Sequence, residues 1–121
     1  MKLDNLTIDE LVVQFASLCE QQYPSMLNDE IKEYNRIFDK QSEIDKELRR
    51  RGLQARLALT KLFDHPHIQV RLIAAQCCLG VAREPALAVL RQIVKDEVVG
   101  PLHLSAGMSI ALLEEGITHP D

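Results

Sequence analysis

Tryptophan is absent from this 121-residue chain, and aromatic residues make up only 4% of it. The core must therefore be aliphatic, built from Leu, Ile, Val and Ala. That suits helices packed on helices better than a sheet, which favours β-branched and aromatic residues. Long apolar runs are also missing, and none approaches the roughly 18 residues needed to cross a membrane. The opening stretch, MKLDNLTIDE, has acids where a secretory signal needs an unbroken apolar segment. Cysteine is scarce: Cys19, Cys77 and Cys78 are odd in number and two are adjacent, which argues against a disulfide framework and for a reducing cytoplasm. On a helix, Cys77 and Cys78 point about 100° apart and cannot clamp one metal as a C-x-x-C pair does. They read as small core hydrophobes.

Signatures of chemistry are equally thin. No glycine-rich phosphate loop, G-x-S-x-G elbow or H-E-x-x-H helix occurs. The expectation is a protein with no catalytic residue and no cofactor. Four histidines are present, His65, His67, His103 and His119. His65 and His67 flank Pro66 beside Asp64, which raises a shared metal as one reading of the stretch LFDHPHIQVRLIAA. Proline fixes the chain between them, and no further His or Cys lies close in sequence to complete a set, so a turn between two helices is the favoured reading.

What is present is ordinary for one soluble globular domain over residues 1–121: 46% hydrophobic and 26% charged. The formal charge of −4 is unevenly spread. Residues 1–33 hold seven acids against Lys2 and Lys32, whereas residues 51–121 balance seven against seven. A negative field of this kind disfavours direct nucleic-acid binding and steers a basic partner. The acids expected to meet such a partner are Asp9, Glu10, Glu20, Asp29, Glu30 and Glu33.

The apolar residues recur at helical spacing throughout, with no strand-like alternation. Thr7 and Glu10 form a capping box before a stripe at Ile8, Leu11, Val12, Phe15, Leu18 and Cys19, and Tyr23-Pro24 is expected to end that helix. A second helix starts within residues 25–29 and runs to about Arg51, with Leu27, Ile31, Tyr34, Phe38, Ile44 and Leu48 inward. Arg49, Arg50 and Arg51 complement its dipole, and Gly52 stops it. Asn35, between apolar positions 34 and 38, is expected to face inward with its amide bonded. The alternative is a polar patch with Arg36 and Asp39. Further helices are expected at about 53–63 and 67–81, from Glu84-Pro85, and from Gly100-Pro101 to about 115. The last carries Leu102, Leu104, Met108, Ile110 and Leu112 or Leu113. The fold class is all-α, six helices in three antiparallel hairpins.

A shift of 32 residues aligns Asp64 with Asp96, Val70 with Leu102, Arg71 with His103, Leu72 with Leu104 and Ala74 with Ala106. Such self-similarity marks a solenoid. The stretch LFDHPHIQVRLIAAQCCL resembles a HEAT repeat, and the resemblance implies a short HEAT-like α-solenoid in which Asp64 and Arg71 are structural turn residues. Together with NRIFDK at 35–40, ELRRRG at 47–52 and the terminal ALLEEG, it is similar to a family of small bacterial HEAT-like proteins over most of residues 30–116. Some members of that family accompany large secreted toxins as cognate immunity proteins, including in contact-dependent growth inhibition. The resemblance thus implies a cytoplasmic, monomeric or weakly self-associating inhibitor. Its partner would be a toxin, in particular the C-terminal nuclease domain of a large secreted protein. Two other readings remain open. One is a HEAT-like scaffold that binds without inhibiting, and the other is a HEAT-like DNA glycosylase. The second is disfavoured because such enzymes need a basic groove and aromatics to hold an extruded base.

Overall fold

Thr7 sets the first helix boundary. Its hydroxyl accepts from the Glu10 backbone N–H at 3.1 Å, and the Glu10 carboxylate accepts from the Thr7 N–H at 2.9 Å, completing the expected capping box. The computed structural model describes residues 3–116 of the protein; His119 lies outside them. Six α-helices follow in order: α1 (Ile8–Leu27), α2 (Ile31–Arg51), α3 (Leu53–Leu57), α4 (Ile68–Cys77), α5 (Arg83–Asp96) and α6 (Pro101–Glu114). Short 3-10 segments occupy Leu3–Asn5 and Ala58–Leu62. No strand occurs among the described residues, and the protein is all-α. The chain divides into two compact units, one up to Leu59 and one from Thr60 onward.

In the first unit α1 and α2 form an antiparallel hairpin. α1 buries Leu11, Val12, Phe15 and Cys19, and α2 buries Ile37, Ile44 and Leu48. Between them sits a polar pair: Gln41 Nε2 donates to Gln22 Oε1 at 3.1 Å and approaches Cys19 Sγ at 3.5 Å. Tyr23-Pro24 does not end α1. Pro24 lies in the helix's last turn, where its missing donor costs one bond. The buried Ser25 donates from Oγ to the Gln22 carbonyl at 2.7 Å and helps hold that turn.

The helix ends instead at Asn28 in a Schellman motif. The Glu30 N–H reaches the Ser25 carbonyl at 2.8 Å, the Asp29 N–H reaches Met26, and Asp29 is left-handed at φ 56°. α2 therefore starts at Ile31, later than expected. At its far end Gly52 closes the helix with φ 109°, a conformation that side chains rarely adopt.

The inward face of α2 also differs from expectation. Leu27, Ile31 and Phe38 are 58%, 65% and 51% exposed, Tyr34 is half-buried and Asn35 is exposed. The buried stripe runs through Ile37, Gln41, Ile44 and Leu48, spaced four, three and four residues apart as one helical face requires. The expected helix over 53–63 is split into five α-helical residues followed by 3-10 turns.

In the second unit α4 packs on α5 and α6, and α5 and α6 pair antiparallel. His67 caps α4, its Nδ1 accepting from the Gln69 N–H at 3.1 Å. α4 ends at Cys77 rather than near 81, with Cys78 as its cap. The core comprises Val70, Leu72, Ala74, Ala75, Leu87, Leu90, Ile93, Leu102, Ala106 and Leu113. Gln76 Nε2 ties α4 to α6 by donating to Ser105 Oγ at 2.9 Å and Ser109 Oγ at 3.0 Å. Gly100 and Pro101 open α6 as expected, with proline at its first turn. Leu104 and Met108, expected inside, are 67% and 63% exposed, because α6 buries the face through Leu102, Ala106 and Leu113.

Candidate functional site

The six acids expected to meet a basic partner do not form one surface. Asp9 and Glu10 occupy the first turn of α1, and Glu10 is committed to the capping box. Its pKa is held below the ordinary carboxylate value by the Thr7 backbone N–H and hydroxyl. Glu20 is exposed further along α1. Asp29 and Glu30 form the turn, and Glu33 lies in the first turn of α2. α1 has 20 residues. At 1.5 Å per residue the two acidic groups are therefore about 30 Å apart. Glu33 is also shared with Arg36, whose guanidinium makes two bonds to it and holds its pKa below the ordinary value.

The turn end carries more than charge. Leu27 closes α1, Ile31 opens α2, and Phe38 lies seven residues on, along the same exposed face of α2. Half-buried Tyr34 and exposed Asn35 lie between Ile31 and Phe38, with exposed Arg36 and Asp39 flanking them. Large apolar side chains here are rimmed by Asp29, Glu30 and Glu33, an arrangement of apolar centre and polar edge typical of protein interfaces. Asp29 adds a backbone signal, a non-glycine residue in the left-handed region within this turn.

The arginine triple at the other end of α2 is consumed locally. Arg49 Nε donates to Asp45 at 3.1 Å, and Arg50 and Arg51 both donate to Glu47, at 2.5 and 2.7 Å. Arg51 also donates to the Leu3 carbonyl at 3.0 Å. Glu47, bonded first by Arg50 and then by Arg51, has its pKa lowered to about 2. An open cleft of about 460 Å³ along the hairpin is lined by Gln14, Ser17, Gln21, Lys40 and Glu43 over Leu3, Leu18 and Ile44. Its hydroxyl, that of Ser17, is bonded by Gln21 Nε2 at 3.1 Å.

The histidine pair serves its own turn. His65 Nδ1 accepts from the His67 N–H at 3.0 Å, and His67 Nδ1 accepts from Gln69. Asp64 is exposed in that turn, and Arg71 lies on α4 and lines a cleft. Burial pushes the Cys19 thiol well above its ordinary pKa.

Residues 9–114 match the family described as a domain of unknown function (DUF2019). The chain belongs to that family. Among solved structures it is similar to the protein RPA1889 from Rhodopseudomonas palustris CGA009, at 36% identity and a TM-score of 0.94, covering 100% of this chain and 99% of that one. No curated protein matches. In this DUF2019 chain no helix of the described residues is long and apolar enough to cross a membrane. The residues that sequence reasoning missed are Leu27, Ile31 and Phe38, which helical spacing alone assigned to the core. Their position beside a run of acids at a turn is the signal that distinguishes them.

Proposed function

We propose that this DUF2019 protein is an immunity protein. In this reading it works in the cytoplasm without catalysis and binds a cognate toxin, the C-terminal nuclease domain of a large secreted protein, over its active site. The observation that carries the reading is the exposure of Leu27, Ile31 and Phe38 beside Asp29, Glu30 and Glu33. A nuclease cleft is basic because it holds phosphate, so an acidic rim steers it and apolar anchors retain it. The likeness to HEAT-type immunity proteins read from the sequence points the same way.

The test is co-purification with the product of the gene immediately upstream, with that protein's C-terminal domain expressed separately for toxicity. A stable 1:1 complex that neutralises a toxic domain is the expected result. A harmless neighbour that does not bind removes the immunity reading. A harmless neighbour that does bind leaves a non-inhibitory scaffold.

A further inference from the structure

The second unit holds a separate cleft, of about 260 Å³, whose walls are chemically mixed. Phe63, Val89 and the buried Ile93 supply an apolar wall. Arg71 enters from α4 and Asp96 from the end of α5. The Arg71 Nε is fully buried and has no hydrogen-bond partner among the described residues. A buried donor left in that state is costly, and an ionised one more so. Asp96 is held on the other side by Gln92, whose Nε2 donates to Oδ1 at 2.9 Å. No ion pair joins Arg71 to Asp96 among the described residues, although both line one cavity.

These charges select a ligand class. A simple anion would satisfy Arg71 but face the Asp96 carboxylate, and a simple cation would satisfy Asp96 while leaving the Arg71 donor unmet. A ligand carrying both charges a few ångströms apart satisfies both walls. The cavity lies below the range of about 300–1,000 Å³ that suits drug-sized ligands, so the ligand is small. We propose that this cleft binds a free α-amino acid with an apolar or aromatic side chain. The carboxylate bonds to Arg71, the ammonium pairs with Asp96, and the side chain rests on Phe63, Val89 and Ile93.

The test is a titration of the isotopically labelled full chain with L-phenylalanine, followed by two-dimensional amide NMR. Shifts should cluster around Phe63, Arg71, Gln92, Ile93 and Asp96. 3-Phenylpropionate, which lacks the ammonium, and phenethylamine, which lacks the carboxylate, should each bind at least about tenfold more weakly. Asp96→Asn, at an exposed position, should erase the preference over phenylpropionate. Arg71→Gln should erase the preference over phenethylamine, with the neutral Arg71→Met as the substitute if the glutamine variant does not fold. Absence of shifts up to the solubility limit of phenylalanine overturns the proposal. So does equal affinity for phenylalanine and phenylpropionate.

Discussion

Asp29 holds a left-handed backbone that glycine adopts without a Cβ penalty. The penalty for an L-residue is about 1–2 kcal/mol, and less for aspartate, so Asp29→Gly should raise stability by up to about 1 kcal/mol in urea unfolding. Under the proposed function the same change removes an interface charge and slows association, so stability and binding should move in opposite directions. Glu47 gives a pH prediction. Its folded pKa of about 2 lies below its ordinary 4.5, so the unfolded chain takes up the proton first. The stabilisation is present above about pH 4.5 and is lost as pH falls toward 2. Glu47→Gln should lower the urea midpoint at pH 6 and flatten its fall between pH 4.5 and 2. Thiol labelling of the native protein should proceed first at half-buried Cys77, with Cys19 and Cys78 reacting only on unfolding, because both are buried and the Cys19 thiol titrates above the ordinary range. Gln41 is the residue the sequence hid best. A polar side chain at a core position carries no hydrophobic signal, and its partners across the hairpin, Gln22 and Cys19, explain its burial.

At the scale of elements, helix beginnings and ends were the readable part. Thr7 with Glu10, Gly52, Gly100-Pro101 and Gly116 all mark observed boundaries, because caps and left-handed glycines are local chemistry. Pro24 misled because a proline in the last turn loses only one bond while burial continues past it at Ser25. The inward faces were less readable. On α2, Ile31, Tyr34 and Phe38 obey helical spacing as well as Ile37, Ile44 and Leu48 do. At 100° per residue the exposed pair, Ile31 and Phe38, is turned about 100° from the buried stripe. Periodicity finds a face, but the neighbouring helix decides which face is covered. Three substitutions test the assignment by denaturant unfolding. Ile37→Ala should cost about 2–5 kcal/mol as a buried aliphatic truncation. Phe38→Ala should stay within about 0.5 kcal/mol, as should Met108→Ala on α6. A Phe38 cost as large as that of Ile37 would restore the sequence-based face.

At the scale of the whole molecule, the repeat was legible only in part. Val70 with Leu102 and Ala74 with Ala106 are buried in both copies, but Leu72 is 2% exposed and its counterpart Leu104 67%. The copies share a pattern and not an environment, since Leu72 is enclosed within its unit and Leu104 lies on the uncovered side of α6. The uneven charge was legible as well, but its division into two groups about 30 Å apart needed the length of α1. That separation makes the proposed interface divisible in a kinetic experiment. At 0.15 M salt the screening length is about 8 Å, so acids at the far end of α1 act weakly on a partner docked at the turn. Charge reversal at Glu30 and Glu33 should lower the association rate with the toxin domain, and the loss should shrink as salt is raised. Reversal at Asp9 should leave the rate nearly unchanged. Ile31→Ala and Phe38→Ala should instead raise the dissociation rate, because desolvated apolar anchors hold a complex after encounter and rim charges mainly steer it. If reversal at Asp9 slows association as much as reversal at Glu30, the partner covers the length of α1 and the turn is not the centre of the interface.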